Sequence, residues 1–147
     1  MSKYLAMLAA VSTLFISGCV DLLDSDSGSG NEFLGAWDTS CENTHLDTFT
    51  VSQESLVISV YTFENTDCTG TKTEDFSFDY GLAFEDQVTT GSGVKATRVR
   101  VIIDADAGLE ALELMYRDGN NLYLGDGTDT SGTWATDIDY DFVLTKQ

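Results

Sequence analysis

The longest alternation of apolar and polar residues in the chain runs through Phe76, Phe78, Tyr80, Leu82 and Phe84, interleaved with Asp75, Ser77, Asp79, Gly81, Ala83 and Glu85. A strict period of two over this length predicts a strand with one face in a core and the other in water. Gly81 is the expected place for a bend or bulge, as in a strand that curves around a barrel. Shorter stretches repeat the pattern. Phe33 to Cys41 reads as a first strand and Thr48 to Ser52 as a second, with Phe49 and Val51 on one face. Leu56 to Glu64 is apolar on both faces and predicts a strand covered on both sides. Lys95 to Ile103 places Val99, Val101 and Ile103 on one face and Arg98 and Arg100 on the other. A last strand from about Trp134 to Thr145 turns Ile138, Tyr140, Phe142 and Leu144 inward and Asp137, Asp139, Asp141 and Val143 outward.

Between these lies a segment that fits two periods. Leu109, Leu112 and Met115 keep near-helical spacing, whereas Leu112, Leu114 and Tyr116 keep strand spacing. The turn Asp118-Gly119-Asn120-Asn121, followed by Leu122-Tyr123-Leu124, favours a strand from about Ala111 to Arg117 and a hairpin. Residues 87–94 and 125–132 read as loops. About eight strands, short turns and no long helix predict an all-β fold: a small antiparallel eight-stranded barrel, with a two-sheet β-sandwich as the alternative. Closure would remove exposed strand edges, which a chain with no proline has few other ways to protect.

The N-terminus follows a different logic. Lys3 precedes an apolar run from Tyr4 to Ile16, too short for a stable membrane span and laid out like a secretory signal. The run ends Ile16-Ser17-Gly18-Cys19, which resembles the lipobox of bacterial lipoproteins. That resemblance implies a signal peptide over 1–18 and a diacylglycerol thioether on Cys19, hence attachment to a membrane. Val20 and Asp21 after the cysteine, with no aspartate directly beside it, imply the outer membrane. Residues 19–31, rich in Asp, Ser and Gly, read as a flexible acidic tether, and 32–147 as the barrel domain.

Charge narrows the partners. All 25 acidic residues follow Cys19 and one of the seven basic ones precedes it, so the lipidated product is one unit more negative than the −18 of the whole chain. Such a surface repels nucleic acid and anionic lipid; it suits a cationic protein partner, calcium or plain solubility. With Cys19 lipidated, Cys41 and Cys68 are left in a compartment that favours disulfides, and they are expected to pair.

Gly35-Ala36-Trp37, opening the first strand shortly before a cysteine, resembles the Gly-x-Trp signature of lipocalins, where the tryptophan closes one end of an eight-stranded barrel. The Thr-Asp-Tyr motif of that family is missing, and Lys146 is the only expected counterpart of the arginine that lipocalins stack on the tryptophan. Nearly the whole mature chain also resembles small lipoproteins of Gram-negative bacteria. They share the lipobox, the Gly-x-Trp start, a cysteine pair, a Leu-Tyr-x-Gly-Asp hairpin and a final aromatic strand ending in Thr-Lys-Gln.

Candidate chemistry is sparse. The sole histidine, His45, lies in a polar stretch read as a surface loop, and no nucleophile and base form a recognisable set. No cofactor or catalytic residue is expected, and the protein reads as a non-enzyme. A zinc site lacks ligands once Cys41 and Cys68 pair. The loop Asp126-Gly127-Thr128-Asp129-Thr130-Ser131-Gly132 reads first as a solvated hairpin loop; as the alternative, Asp126 and Asp129 offer hard oxygen ligands for calcium, although the loop matches neither the EF-hand nor the nine-residue calcium repeat. Asp137, Asp139 and Asp141 are expected to form an acidic row on one strand face, read first as a plain solvated face and alternatively as a surface for a cationic partner or ion. The aromatics Trp37, Phe76, Phe78, Tyr80, Phe84, Tyr140 and Phe142 are expected inward, where they fill the core or line a cavity for an apolar ligand. Two readings follow: an envelope binding module for a small apolar ligand or partner, and an interaction lipoprotein with a solid barrel and an acidic working surface.

Overall fold

The computed structural model describes residues 30–127 and 132–147. The signal segment, Cys19, most of the tether and Asp129 lie outside the described residues. A 3-10 turn, Asn31–Phe33, leads into eight strands: β1 (Gly35–Asp38), β2 (His45–Val51), β3 (Ser55–Phe63), β4 (Lys72–Thr89), β5 (Lys95–Asp104), β6 (Leu109–Asp118), β7 (Asn121–Gly125) and β8 (Ile138–Lys146). Each is antiparallel to the next, and β8 returns to β1 through Trp37↔Lys146 and Asp38↔Thr145, closing the sheet into a barrel. The eight-stranded antiparallel ring expected from the alternation is therefore the observed one. The two-period segment is strand throughout, and His45 begins β2 instead of lying in a loop.

Several local expectations change. Gly81 is not a bulge; it pairs regularly with Ser55 on one side and Ile102 on the other. A Cβ there would lie 3.1 Å from the Ile102 Cβ, so the glycine serves close packing. The irregularities fall instead opposite Val60/Tyr61, where Asp75 is the extra residue, and between Phe84 and Gln87. The largest one shifts β8: Tyr123 faces Val143 but Leu124 faces Asp139, so Tyr140–Phe142 bulge out. Because a side chain changes face with every residue of slip, the inward set expected for β8 is broken. Ile138 packs with Ala96 and Leu114, away from Leu144. Tyr140 lies against Tyr123, 5.3 Å between ring centroids, and is exposed. Nor is β3 covered on both sides: Val57, Tyr61 and Phe63 are half-buried, with the Lys72 ammonium 3.6 Å over the Tyr61 ring.

Two apolar clusters hold the barrel. The interior one joins Phe33, Trp37, Val51, Leu56, Leu82, Val99, Met115, Leu122 and Leu144. Leu114, between the inward-facing Glu113 and Met115, points to the other face, where it packs with Ala96, Ile138 and, from the β7–β8 connection, Ala135. The described end of that connection lies on the outer face, where Thr136 accepts a backbone hydrogen bond from Gly91 of the β4–β5 turn at 3.0 Å.

One barrel end is plugged. Phe33 stacks on Phe84 with 6.0 Å between centroids, and the buried Trp37 indole donates to the Phe33 carbonyl at 2.7 Å. Gly30 has φ +64°, and a Cβ there would lie 2.3 Å from the Phe84 ring, so only glycine fits. Gly30 and Asn31, expected in the loose tether, are thus part of the folded plug.

At the opposite end the wall is uneven. β1, β7 and the paired part of β8 are short, while β3 and β4 run on. β4 pairs with β3 from Lys72 to Gly81 but with β5 only from Gly81 onward. The β3–β4 hairpin therefore rises above the ring as a flap. Its tip is tied down by the expected disulfide, Cys41–Cys68, which joins the β1–β2 and β3–β4 loops.

Candidate functional site

Below the flap the barrel encloses a cavity of about 150 Å³. Its wall is apolar, with Phe49 and Val51 from β2, Leu56 and Ile58 from β3, Tyr80, Val101, Ala111, Met115, Leu122, Leu124 and Leu144. One acidic side chain, Glu113, also lines it. That carboxyl group is buried, and its Oε1 accepts from the backbone N–H of Leu114 at 2.8 Å and of Gly125 at 2.7 Å. Gly125 ends β7, and its register with β6 stops one pair earlier at Met115↔Leu124. Glu113 therefore takes over the ladder where the strands part, accepting donors that a further strand pair would have used.

The lining continues upward along the flap. Ile58 faces Phe78 and Val60 faces Phe76, and directly opposed residues share a face. Tyr80 in the cavity wall stacks on Phe78 with 6.1 Å between centroids, and Phe78 meets Phe76 edge-on at 5.5 Å. Phe76 and Phe78 are 53% and 48% exposed, which for inward-facing aromatics means that the wall opposite them is missing. Phe142 meets Phe49 edge-on at the mouth, 6.2 Å apart, and Leu109, on the cavity face of β6, is exposed.

Of the seven aromatics expected inward, Tyr80 alone lines the cavity. Trp37 and Phe84 belong to the plug; Phe76, Phe78 and Phe142 rim the mouth; Tyr140 is on the outer face with Tyr116 and Tyr123. Burial, with the nearby Asp118 carboxylate next in weight, raises the Tyr116 hydroxyl above its usual range. The sequence missed Glu113, although an acid inside the apolar run Ala111-Leu112-Glu113-Leu114-Met115 was a visible anomaly.

The plug corrects another expectation. Lys146 does lie over Trp37, its Nζ 5.2 Å from the ring centroid, but Arg117 joins it at 5.6 Å. An arginine on the tryptophan is therefore present, supplied by β6 and fixed by donation to the carbonyls of Glu32 and Gly119, both at 2.8 Å.

The acidic row is not a row. Asp137 precedes β8 and caps the Ile138 N–H; Asp139 accepts from the N–H groups of Asp141 and Phe142 and so holds the bulge together. Asp126 is exposed at the end of β7, while Asp129 lies outside the described residues. Among the described residues no group of three or more His, Cys, Asp or Glu side chains is placed to hold a metal. His45 is exposed, its Nδ1 3.2 Å from the Thr62 hydroxyl.

No family model matches the chain, and neither the curated proteins nor the solved structures contain a match.

Proposed function

We propose that this protein is a lipid-anchored component of the bacterial outer membrane that holds a small apolar ligand without chemically altering it. The observation that carries this reading is the unbroken apolar surface from the 150 Å³ cavity through Tyr80 to the exposed Phe78 and Phe76. Exposed aromatics that face a hollow, and not bulk solvent on an outer wall, form a lined approach to it. The volume sets the cargo: an apolar cavity of about 150 Å³ is known to accept a ligand the size of benzene. One ring, or the end of one alkyl chain with the remainder lying along the flap, fits that space.

The anchor suits the same reading. The lipobox resemblance puts the lipid at Cys19, eleven residues before Gly30, a tether of at most about 40 Å. Gly30, the first described residue, lies at the plugged end, so the mouth opens at the other end of the barrel from the one the tether enters.

Thermal denaturation with toluene and with a short alkane tests the proposal. A rise in Tm that Ala111→Phe abolishes, by filling the cavity, is the expected result. No rise with either compound would overturn it and leave the second reading, which the modest cavity also favours, since pockets for drug-sized ligands start near 300 Å³. In that reading the acidic exterior engages a cationic envelope partner. Palmitate labelling that is lost in Cys19→Ala tests the anchor separately.

A further inference from the structure

Closure of the ring does not remove every strand edge. On the side facing β5, residues 72–80 of β4 pair with no strand among the described residues, and no backbone group among them accepts or donates along that side. Two features make this edge unlike a protected one. It has no proline, and its sole bulge, at Asp75, lies toward the tip, leaving Phe76 to Tyr80 in regular extended pairing with β3. It also carries two of the largest exposed apolar side chains among the described residues, Phe76 and Phe78. An exposed and regular edge with one apolar face is a template for one more strand.

We infer that β4 takes up an extended segment of a partner polypeptide along Phe76–Tyr80, and that this segment alternates apolar with basic residues. The alternation follows from the two faces of the edge. Phe76 and Phe78 face inward, so every second partner residue meets them and continues the barrel wall across its missing part. On the outer face Asp79 lies within this stretch and Glu74 just beyond the Asp75 bulge, both exposed and in no ion pair among the described residues, so outward partner residues at the two ends of the segment meet carboxylates, with Ser77 between them. A cross-strand pair of opposite charge is favourable and one of like charge is not. This selects against a second copy of the chain: the same edge turned about a two-fold axis at Ser77 would set Asp75 opposite Asp79, and would bring together two molecules that each carry a formal charge of −18.

The test uses the full chain in detergent with three capped nonapeptides: alternating Ile and Lys, the same residues in two blocks, and alternating Ile and Glu. Hydrogen exchange should show the alternating Ile/Lys peptide slowing the amides within Phe76–Tyr80 that are free in the unbound protein. Binding should weaken about tenfold or more in the Phe76→Ser/Phe78→Ser variant, whose substitutions are solvent-exposed. The Glu74→Lys/Asp79→Lys variant should reverse the preference, taking the Ile/Glu peptide instead. Equal binding of the block peptide without local protection would reduce the effect to adsorption on an acidic surface and overturn the inference. Concentration-dependent dimerisation that protects the same amides would overturn it in favour of a second copy. Toluene binding is read on the cavity and remains informative whichever peptide result is obtained.

Discussion

Arg117 lies over the ring of Trp37, 5.6 Å from its centroid, while its guanidinium donates to the Glu32 carbonyl. One side chain from β6 thus ties the N-terminal plug to the residue that seals the barrel. Arg117→Ala should lower stability by roughly 1–3 kcal/mol, through the lost cation–π contact and two lost carbonyl partners. Arg117→Lys should recover only part of it, because an ammonium lacks the planar fork that serves both carbonyls. Urea denaturation followed by tryptophan fluorescence measures both.

Glu113 provides the second prediction. Glu113→Ala removes the acceptor of two backbone N–H groups in a buried setting and should cost about 2–4 kcal/mol. Glu113→Gln keeps a carbonyl acceptor and should cost less than half as much. Equal losses in the two variants would show that the ladder-capping role is wrong.

The disulfide between Cys41 and Cys68 spans a sequence separation of 27. Cys41→Ser/Cys68→Ser should destabilise the fold by about 3–4 kcal/mol on the chain-entropy argument. The barrel should persist, since the bond lies among exposed loops, and the increased hydrogen exchange should concentrate in the β3–β4 tip.

These sites show how far the sequence carries. The alternation Phe76 to Phe84 announced β4 and its inner face, because period two records which side each residue takes. It does not record how far the neighbouring strand runs alongside. Phe76 and Phe78 share a face with Tyr80, yet the pairing with β5 stops at Gly81, so one pattern covers both a cavity wall and an open rim. On β8 the alternation misled, since three bulged residues reset the faces and put Tyr140 outside. Arg117 was invisible as a plug residue because its partners, Glu32 and Trp37, are brought to it by closure of the ring. The Gly-x-Trp start and the cysteine pair were legible because their chemistry demands particular residue types.

A pH dependence follows from Asp137. Its carboxylate is held below the usual range, first by a side-chain hydrogen bond from Ser92 and then by the Ile138 N–H. A carboxyl group whose folded value is depressed stabilises the fold fully above the ordinary aspartate value, about 3.9. That contribution is lost as pH falls through the depressed folded value. Asp137→Ala should therefore be less stable than the parent at neutral pH, and the gap should close in strong acid. Denaturation midpoints of the two proteins between neutral pH and strong acid check this.

The position of Gly30 under the Phe84 ring has a mechanical outcome. Any pull applied to the chain ahead of Gly30 would arrive first at the Phe33 and Trp37 seal, on the face away from the opening. Under such tension the bottom stopper would be drawn out before the rim is deformed, so a molecule loaded through its N-terminus would leak from below while its upper lip kept its shape.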